Sequence, residues 1–216
     1  MYICEYMTPD PLTITADVSL VEARNILDEF RFRHLPVVEG DTKKLVGIIT
    51  DRDLRSAYPS SVYSDEERAE GFDKLKSTLV GEIMTRECVA ISRLATLDDA
   101  LLLFGREKVG ALPVVDEDGV VCGMFSIRDL AAAYKQLFGV ADKGSVLIGI
   151  ADKGEQGIMS RIVNLLEKNG ISFTRLIRME ESDGSAKIYL RINTCRVAGV
   201  YKLLQSNNLT ILKPEP

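Results

Sequence analysis

Apolar positions along the chain alternate between two spacings, and the blocks they form come in an order that repeats. Thr13-Ile14-Thr15 is a short extended piece. Leu20, Ala23, Leu27 and Phe30 then recur at helical spacing behind a capping box, Ser19-Leu20-Val21-Glu22, and put one apolar face on a helix that stops near Arg33. Residues 35–38 and 45–49 are dense in β-branched side chains, and the polar Gly40-Asp41-Thr42-Lys43-Lys44 between them makes the pair a hairpin. A second helix opens at Asp51 and runs to Ala57. The same order returns with Thr96 as cap, strands at 112–115 and 120–125 around the turn Asp116-Glu117-Asp118-Gly119, and a helix from Ile127 to about Leu137. Each unit reads β-α-β-β-α.

The repetition extends to residue identity. His34-Leu35-Pro36-Val37-Val38 followed by Gly47-Ile48-Ile49-Thr50-Asp51-Arg52-Asp53-Leu54 returns as Ala111-Leu112-Pro113-Val114-Val115 followed by Gly123-Met124-Phe125-Ser126-Ile127-Arg128-Asp129-Leu130. Met7-Thr8 answers Met84-Thr85, Ser19 to Ala23 answers Thr96 to Ala100, and Tyr58 answers Tyr134. Two copies of a unit too small to bury its own faces are expected to pack together as a pseudo-twofold pair and leave paired clefts. Between them, residues 59–80 form a spacer whose Ser64-Asp65-Glu66-Glu67 start and apolar Phe72, Leu75 and Leu79 predict an extra helix.

After a short linker at 139–143 the pattern changes. Residues 146–150 read as a strand, 157–168 as an amphipathic helix with Ile158, Ile162, Leu165 and Leu166 inward, and Asn169-Gly170 as its stop. Strands at 172–179 and 186–192 flank Ser182-Asp183-Gly184; a helix at 197–206 turns Val197, Val200, Tyr201 and Leu204 to one side, and 209–212 is a last short strand. The order βαββαβ is that of a ferredoxin-like sandwich, whose open edges are commonly covered by a second copy. The expected class is α+β, divided as repeat 1 (1–58), spacer (59–80), repeat 2 (81–138), linker (139–143) and tail domain (144–216).

Composition narrows the function classes. A chain of 216 residues, 46% hydrophobic, with a mean hydropathy of +0.04, supports ordinary globular cores. No apolar run approaches the ~18 residues of a membrane span, and Met1-Tyr2-Ile3-Cys4-Glu5 is not the start of a secretory signal, so a cytoplasmic location is expected. Net charge −5 and pI near 5.1 disfavour nucleic acid and anionic lipid as partners. Cys4, Cys88, Cys122 and Cys195 stand too far apart for a zinc or disulfide pattern and are expected as reduced, mostly packed thiols; Cys88 and Cys122 read as buried in strand-like segments.

The chemistry lies in the repeated turn from strand to helix. Gly-x-x-Thr50-x-x-Asp53 and Gly-x-x-Ser126-x-x-Asp129 place a hydroxyl and a carboxylate where free N–H groups favour phosphate and an acceptor can take both hydrogens of a ribose diol. The same residues also read as helix caps that need no ligand. Capping boxes favour Glu or Gln, and Asp in both copies, directly after a glycine-containing strand, shifts the weight toward a ligand.

The two repeats resemble a tandem pair of CBS domains, the Bateman module, over about residues 4–137, through the Met-Thr opening, the apolar-Pro-apolar-apolar strand and the Gly-x-x-Thr/Ser-x-x-Asp motif in both copies. That resemblance implies regulatory binding of AMP, ADP, ATP or S-adenosylmethionine. Asp53 and Asp129 would hold the ribose diols, and Thr50 and Ser126 the ribose or first phosphate. Arg33 and His34 would be the basic phosphate contacts, with Arg52 and Arg128 as further candidates. Repeat 2 has Gly110 and Ala111 in place of Arg33 and His34, so a multiply charged phosphate chain is expected in only one cleft. The tail resembles an ACT domain, with Gln156 and Gly157 in the loop where that family binds amino acids at a dimer interface. The whole arrangement is similar to the acetoin-utilisation B-type proteins of bacteria. Together these imply a non-catalytic, homodimeric sensor acting on an unnamed partner protein. A scaffold with vestigial clefts is the alternative, and an enzyme the competitor from another class. The latter has little to work with, because the only histidine, His34, is tied to no nucleophile motif, and Asp98-Asp99 and Asp116-x-Asp118 fall at a helix start and a turn tip.

Overall fold

A computed structural model describes residues 1–58, 64–140 and 142–212. The chain divides into two compact units, Met1–Ala133 and Tyr134–Pro216. In the first, the elements are β1 (Thr8–Pro9), α1 (Leu20–Phe30), β2 (His34–Glu39), β3 (Lys44–Thr50), α2 (Asp51–Ala57), α3 (Asp65–Ser77), α4 (Val80–Ile83), β4 (Ile91–Ser92), α5 (Leu97–Glu107), β5 (Ala111–Val115), β6 (Val121–Ser126) and the start of α6 (Ile127–Leu137). Residues 59–63 of the spacer and Ala141 of the linker lie outside the described residues.

The repeats exchange their first strands. Thr8 and Pro9 of repeat 1 pair antiparallel with Met124 and Gly123 of repeat 2, and Thr85 of repeat 2 bridges back to Ile48 of repeat 1. Each hairpin is completed on its other side by a parallel partner, Ile91 with Val114 and Ile14 with Val37. The repeats also meet where Lys44 bridges Val120, with Leu45 N–H donating to Gly119 C=O and Val121 N–H to Lys43 C=O, both at 3.0 Å. Lys44 and Val120 are equivalent positions of the repeat, so the local pseudo-twofold axis passes between them.

This exchange explains the motif glycine. A Cβ at Gly47 would stand 2.8 Å from the Thr85 carbonyl oxygen and 2.9 Å from Met84 Sδ, and one at Gly123 would run into Met7 Sδ. The repeated Met-Thr and the repeated glycine are thus two halves of one close contact, each half supplied by the other repeat. Beneath it, Leu20, Ala23, Leu27, Leu35, Val37, Ile49, Leu54, Leu75, Val80 and Met84 form a continuous core. Phe30 departs from the helix face assigned to it: it is half exposed and stacks on Phe32 at 5.6 Å, because α1 ends there rather than at Arg33. Ser19 accepts from Glu22 N–H at 3.2 Å; the return half of that box is not made among the described residues, where Ser19 bridges Leu79 instead. Cys88 lies in an extended loop, half-buried, rather than in a buried strand.

In the second unit, β7 (Ser145–Asp152), α7 (Ile158–Lys168), β8 (Phe173–Glu180), β9 (Ala186–Asn193) and α8 (Val197–Ser206) give a sheet in the order β7-β9-β8. Ile211 adds a single bridge to Ile150 where a full last strand was expected. The resulting antiparallel order is that of a ferredoxin-like βαββαβ unit. Ile148, Ile150, Ile162, Leu166, Ile188, Leu190 and Leu204 fill its core.

Candidate functional site: paired clefts between the repeats

The repeated turn is built as a reciprocal cap. Asp53 Oδ2 accepts from Thr50 N–H at 2.9 Å and from Thr50 Oγ1 at 2.7 Å, while Asp53 N–H donates to Thr50 Oγ1 at 3.2 Å. Asp129 Oδ2 accepts from Ser126 N–H at 2.8 Å and Ser126 Oγ at 2.6 Å, with Asp129 N–H donating back at 3.4 Å. Both aspartates therefore spend one oxygen on the helix start. Oδ1 has no hydrogen bond among the described residues and remains available as an acceptor. Thr96 and Asp99 make the same cap at 2.8, 2.7 and 3.1 Å. Capping geometry thus does not distinguish a site from a helix end; position on a cleft does.

Asp53 and Asp129 each line a cleft between the repeats, and Asp99 lines neither. The Asp53 cleft holds about 600 Å³, with Thr50, Arg52, Thr85, Glu87, Cys88 and Lys108 among its polar lining and Ile48, Val89 and Val109 as an apolar wall. The Asp129 cleft holds about 560 Å³, with Thr8, Arg31, Ser126 and Arg128 beside apolar Leu12, Phe32, Met124 and Ile127. Both volumes fall in the range of small-molecule sites. Strand exchange is what mixes the repeats here: Thr8 comes from repeat 1 to the repeat 2 cleft, and Thr85 makes the reverse journey.

All eight residues assigned to nucleotide binding from sequence line these clefts. Arg33 and His34, however, line both. They stand at the start of β2, with His34 opposite Thr50 across the hairpin, and the His34 ring faces Gly110, whose Cβ, if present, would lie 3.9 Å away. Gly110 and Ala111 line both clefts as well, so these four residues form a wall common to the two. Burial, reinforced by the neighbouring Arg33 charge and opposed by Asp53, holds the His34 pKa below the ordinary imidazole value. Its ring is therefore mostly neutral at pH 7.

Several cleft residues were not singled out by sequence reasoning. Arg31 ends α1 and Lys108 ends α5, both as left-handed C-caps with φ 54°. The alignment of two basic residues 77 positions apart was the available signal. Among the other charges, Asp51 is held by Arg24 at 3.1 Å and by Arg55. Burial raises the Cys88 pKa, so this cleft residue is a neutral thiol at pH 7. Gln156 is exposed, and Gly157 is the N-cap of α7 with φ 78°. No His/Cys/Asp/Glu group able to hold a metal occurs among the described residues, and no described helix is long and apolar enough to cross a membrane.

Comparison with known proteins agrees with this architecture. The chain is 29% identical over 163 residues to the inosine-5'-monophosphate dehydrogenase of Aquifex aeolicus, covering 74% of this chain and 30% of that protein. It is 30% identical over 185 residues to the Bifidobacterium longum enzyme, covering 85% and 31%. The chain thus spans about a third of the length of these curated relatives. Among solved structures, CBSX2 in complex with AMP matches with TM-score 0.53 and 27% identity over 63% of this chain and 98% of that one. A putative acetoin utilization protein (AcuB) from Vibrio cholerae gives 0.53 and 25% over 65% and 94%. The CBS domain pair of protein MJ0100 in complex with 5'-methylthioadenosine and S-adenosyl-L-methionine gives 0.50 and 27% over 65% and 97%. The CBS domain model matches residues 3–60 and 80–136, and with each match falling on one of the two repeats, the chain belongs to the CBS-domain family.

Proposed function

We propose that this protein is a non-catalytic sensor of adenosine compounds, with AMP, ADP, ATP or S-adenosylmethionine bound in one or both clefts. The observation that carries this reading is the spare Oδ1 of Asp53 and of Asp129 at the head of an apolar-walled cleft, each backed by a hydroxyl and a helix start. A ribose diol offers two donors to that carboxylate, adenine slides between the apolar side chains, and a phosphate group meets the basic residues. The AMP complex of CBSX2 and the methylthioadenosine and S-adenosylmethionine complex of MJ0100 support this ligand class. A ligand touching both repeats favours one of their arrangements, and the difference passes through residues 139–143 to the tail domain, and from there to a partner protein. The tail is ACT-like and dimerises; its βαββαβ order and the left-handed Gly157 before α7 favour a small effector such as an amino acid at Gln156-Gly157.

Calorimetric titration of the full chain with AMP, ADP, ATP and S-adenosylmethionine, alongside Asp53→Ala and Asp129→Ala, tests the reading. Micromolar binding lost in one or both variants supports it. Absence of binding by all four compounds, with variants indistinguishable from the parent, leaves the aspartates as caps and favours the scaffold.

A further inference from the structure

Helices α1 and α5 occupy equivalent places in the two repeats and end in the same unusual way. Arg31 (φ 54°, ψ 35°) and Lys108 (φ 54°, ψ 34°) are left-handed C-caps, a position that glycine fills without a steric cost. The backbone bonds of the motif are made in both: Arg31 N–H donates to Leu27 and Asp28 carbonyls, Phe32 N–H to Leu27 C=O at 3.0 Å, and Lys108 N–H to Phe104 C=O at 3.0 Å. None of these bonds needs a side chain. A long cationic side chain at a strained backbone position, in both copies, points to use of the side chain itself.

The placement says what that use is. Arg31 belongs to repeat 1 but lines the cleft of Asp129 in repeat 2, and Lys108 belongs to repeat 2 but lines the cleft of Asp53 in repeat 1. Neither side chain has a hydrogen-bond or ion-pair partner among the described residues, whereas Arg24 and Arg55 nearby are committed to Asp28 and Asp51. We propose that Arg31 and Lys108 read the ligand's anionic group crosswise, each for the cleft whose ribose anchor the other repeat supplies, with the flat arginine fork in one cleft and the ammonium in the other. The inference rests on the nucleotide reading above and adds to it the residues that set preference for phosphate. The difference between fork and point charge makes the Asp129 cleft the better binder of a phosphate taken by two parallel hydrogen bonds.

The test compares AMP with adenosine, which lacks only the phosphate, by calorimetry on the full chain carrying Arg31→Gly, Lys108→Gly or Arg31→Lys. Glycine fits the left-handed cap, so the thermal midpoint of each glycine variant is expected to stay at or above that of the parent. The expected result is a tenfold or greater loss of AMP affinity with adenosine affinity held within twofold, and recovery of most of the AMP affinity in Arg31→Lys. The crossing is read in paired backgrounds: Arg31→Gly weakens AMP binding in an Asp53→Ala chain and leaves it unaltered in an Asp129→Ala chain. Unchanged AMP affinity in both glycine variants overturns the proposal, as does parallel loss of AMP and adenosine, which marks a residue that shapes the cleft. A parent that binds neither compound refutes the nucleotide reading itself, and this inference with it.

Discussion

The two clefts share one frame and a pair of equivalent cations, and differ in the further charges around them. Each has the same cap of hydroxyl and aspartate, the same exchanged threonine and the same thin wall of Arg33, His34, Gly110 and Ala111. The Asp129 cleft then adds Arg31 and Arg128 and no further carboxylate. The Asp53 cleft adds Arg52, Arg55 and Lys108, but also Glu87 and an Asp51 that neutralises Arg55. Between the repeats the hydroxyl-aspartate cap is kept, whereas Glu87 and the Asp51–Arg55 pair line only the Asp53 cleft. On the proposed reading, ligand class would follow from the repeat and charge preference from each cleft. The wall is shared, since Arg33 and His34 line both clefts.

The largest expected effect comes from breaking the frame in one copy. Gly47→Ala drives a Cβ into the Thr85 carbonyl, whereas Gly123→Ala meets the Met7 side chain, which can swing aside. Overpacking of this kind costs about 1–3 kcal/mol, so urea unfolding is expected to show Gly47→Ala destabilised in that range and Gly123→Ala markedly less. Equal losses contradict the assignment of backbone to one contact and side chain to the other.

A sharper comparison uses three caps of the same geometry. Asp53→Ala, Asp99→Ala and Asp129→Ala each remove a capping carboxylate, and each is expected to lower stability modestly. Only the first and third are expected to weaken AMP binding, by about 10–100-fold in the cleft concerned, as for a lost hydrogen bond to a charged group. A matching loss in Asp99→Ala places the effect in folding rather than in the site.

The smallest effect concerns the shared wall. With its folded pKa lowered by burial and by Arg33, His34 binds fewer protons in the folded than in the unfolded chain. Stability is then full above the unfolded value near ~6.5 and falls as pH drops from there through the lowered folded value. Thermal unfolding between pH 7.5 and 5.5 is expected to slope less in His34→Gln than in the parent. An equal slope removes His34 as a contributor.

How much of this was legible in the sequence depends on range. Periodicity placed α1, α5, α7 and both hairpins, because each is decided by neighbours within a few residues. The paired motifs identified Asp53 and Asp129 and, through the repeat, the existence of two clefts. What stayed hidden is non-local or torsional. The exchange of Thr8 and Thr85 between repeats is a pairing across more than thirty residues that no local pattern encodes, although Met-Thr and the distant glycine were both visible as conserved halves of the repeat. The placement of Arg33 and His34 on both clefts depends on how the two repeats pack, which no local pattern reports. Arg31 was not singled out because α1 was carried on to about Arg33, which also put Phe30 on the wrong side.

The central claim is that Asp53 and Asp129 hold a ribose diol, and the most direct measurement is a calorimetric titration of the full chain with AMP and with its 2′,3′-dideoxy analogue. The account predicts that the analogue binds at least tenfold more weakly to the parent, and that Asp53→Ala together with Asp129→Ala abolishes the difference. Equal affinity for the two ligands in the parent would contradict it, and would return both aspartates to the role Asp99 already plays.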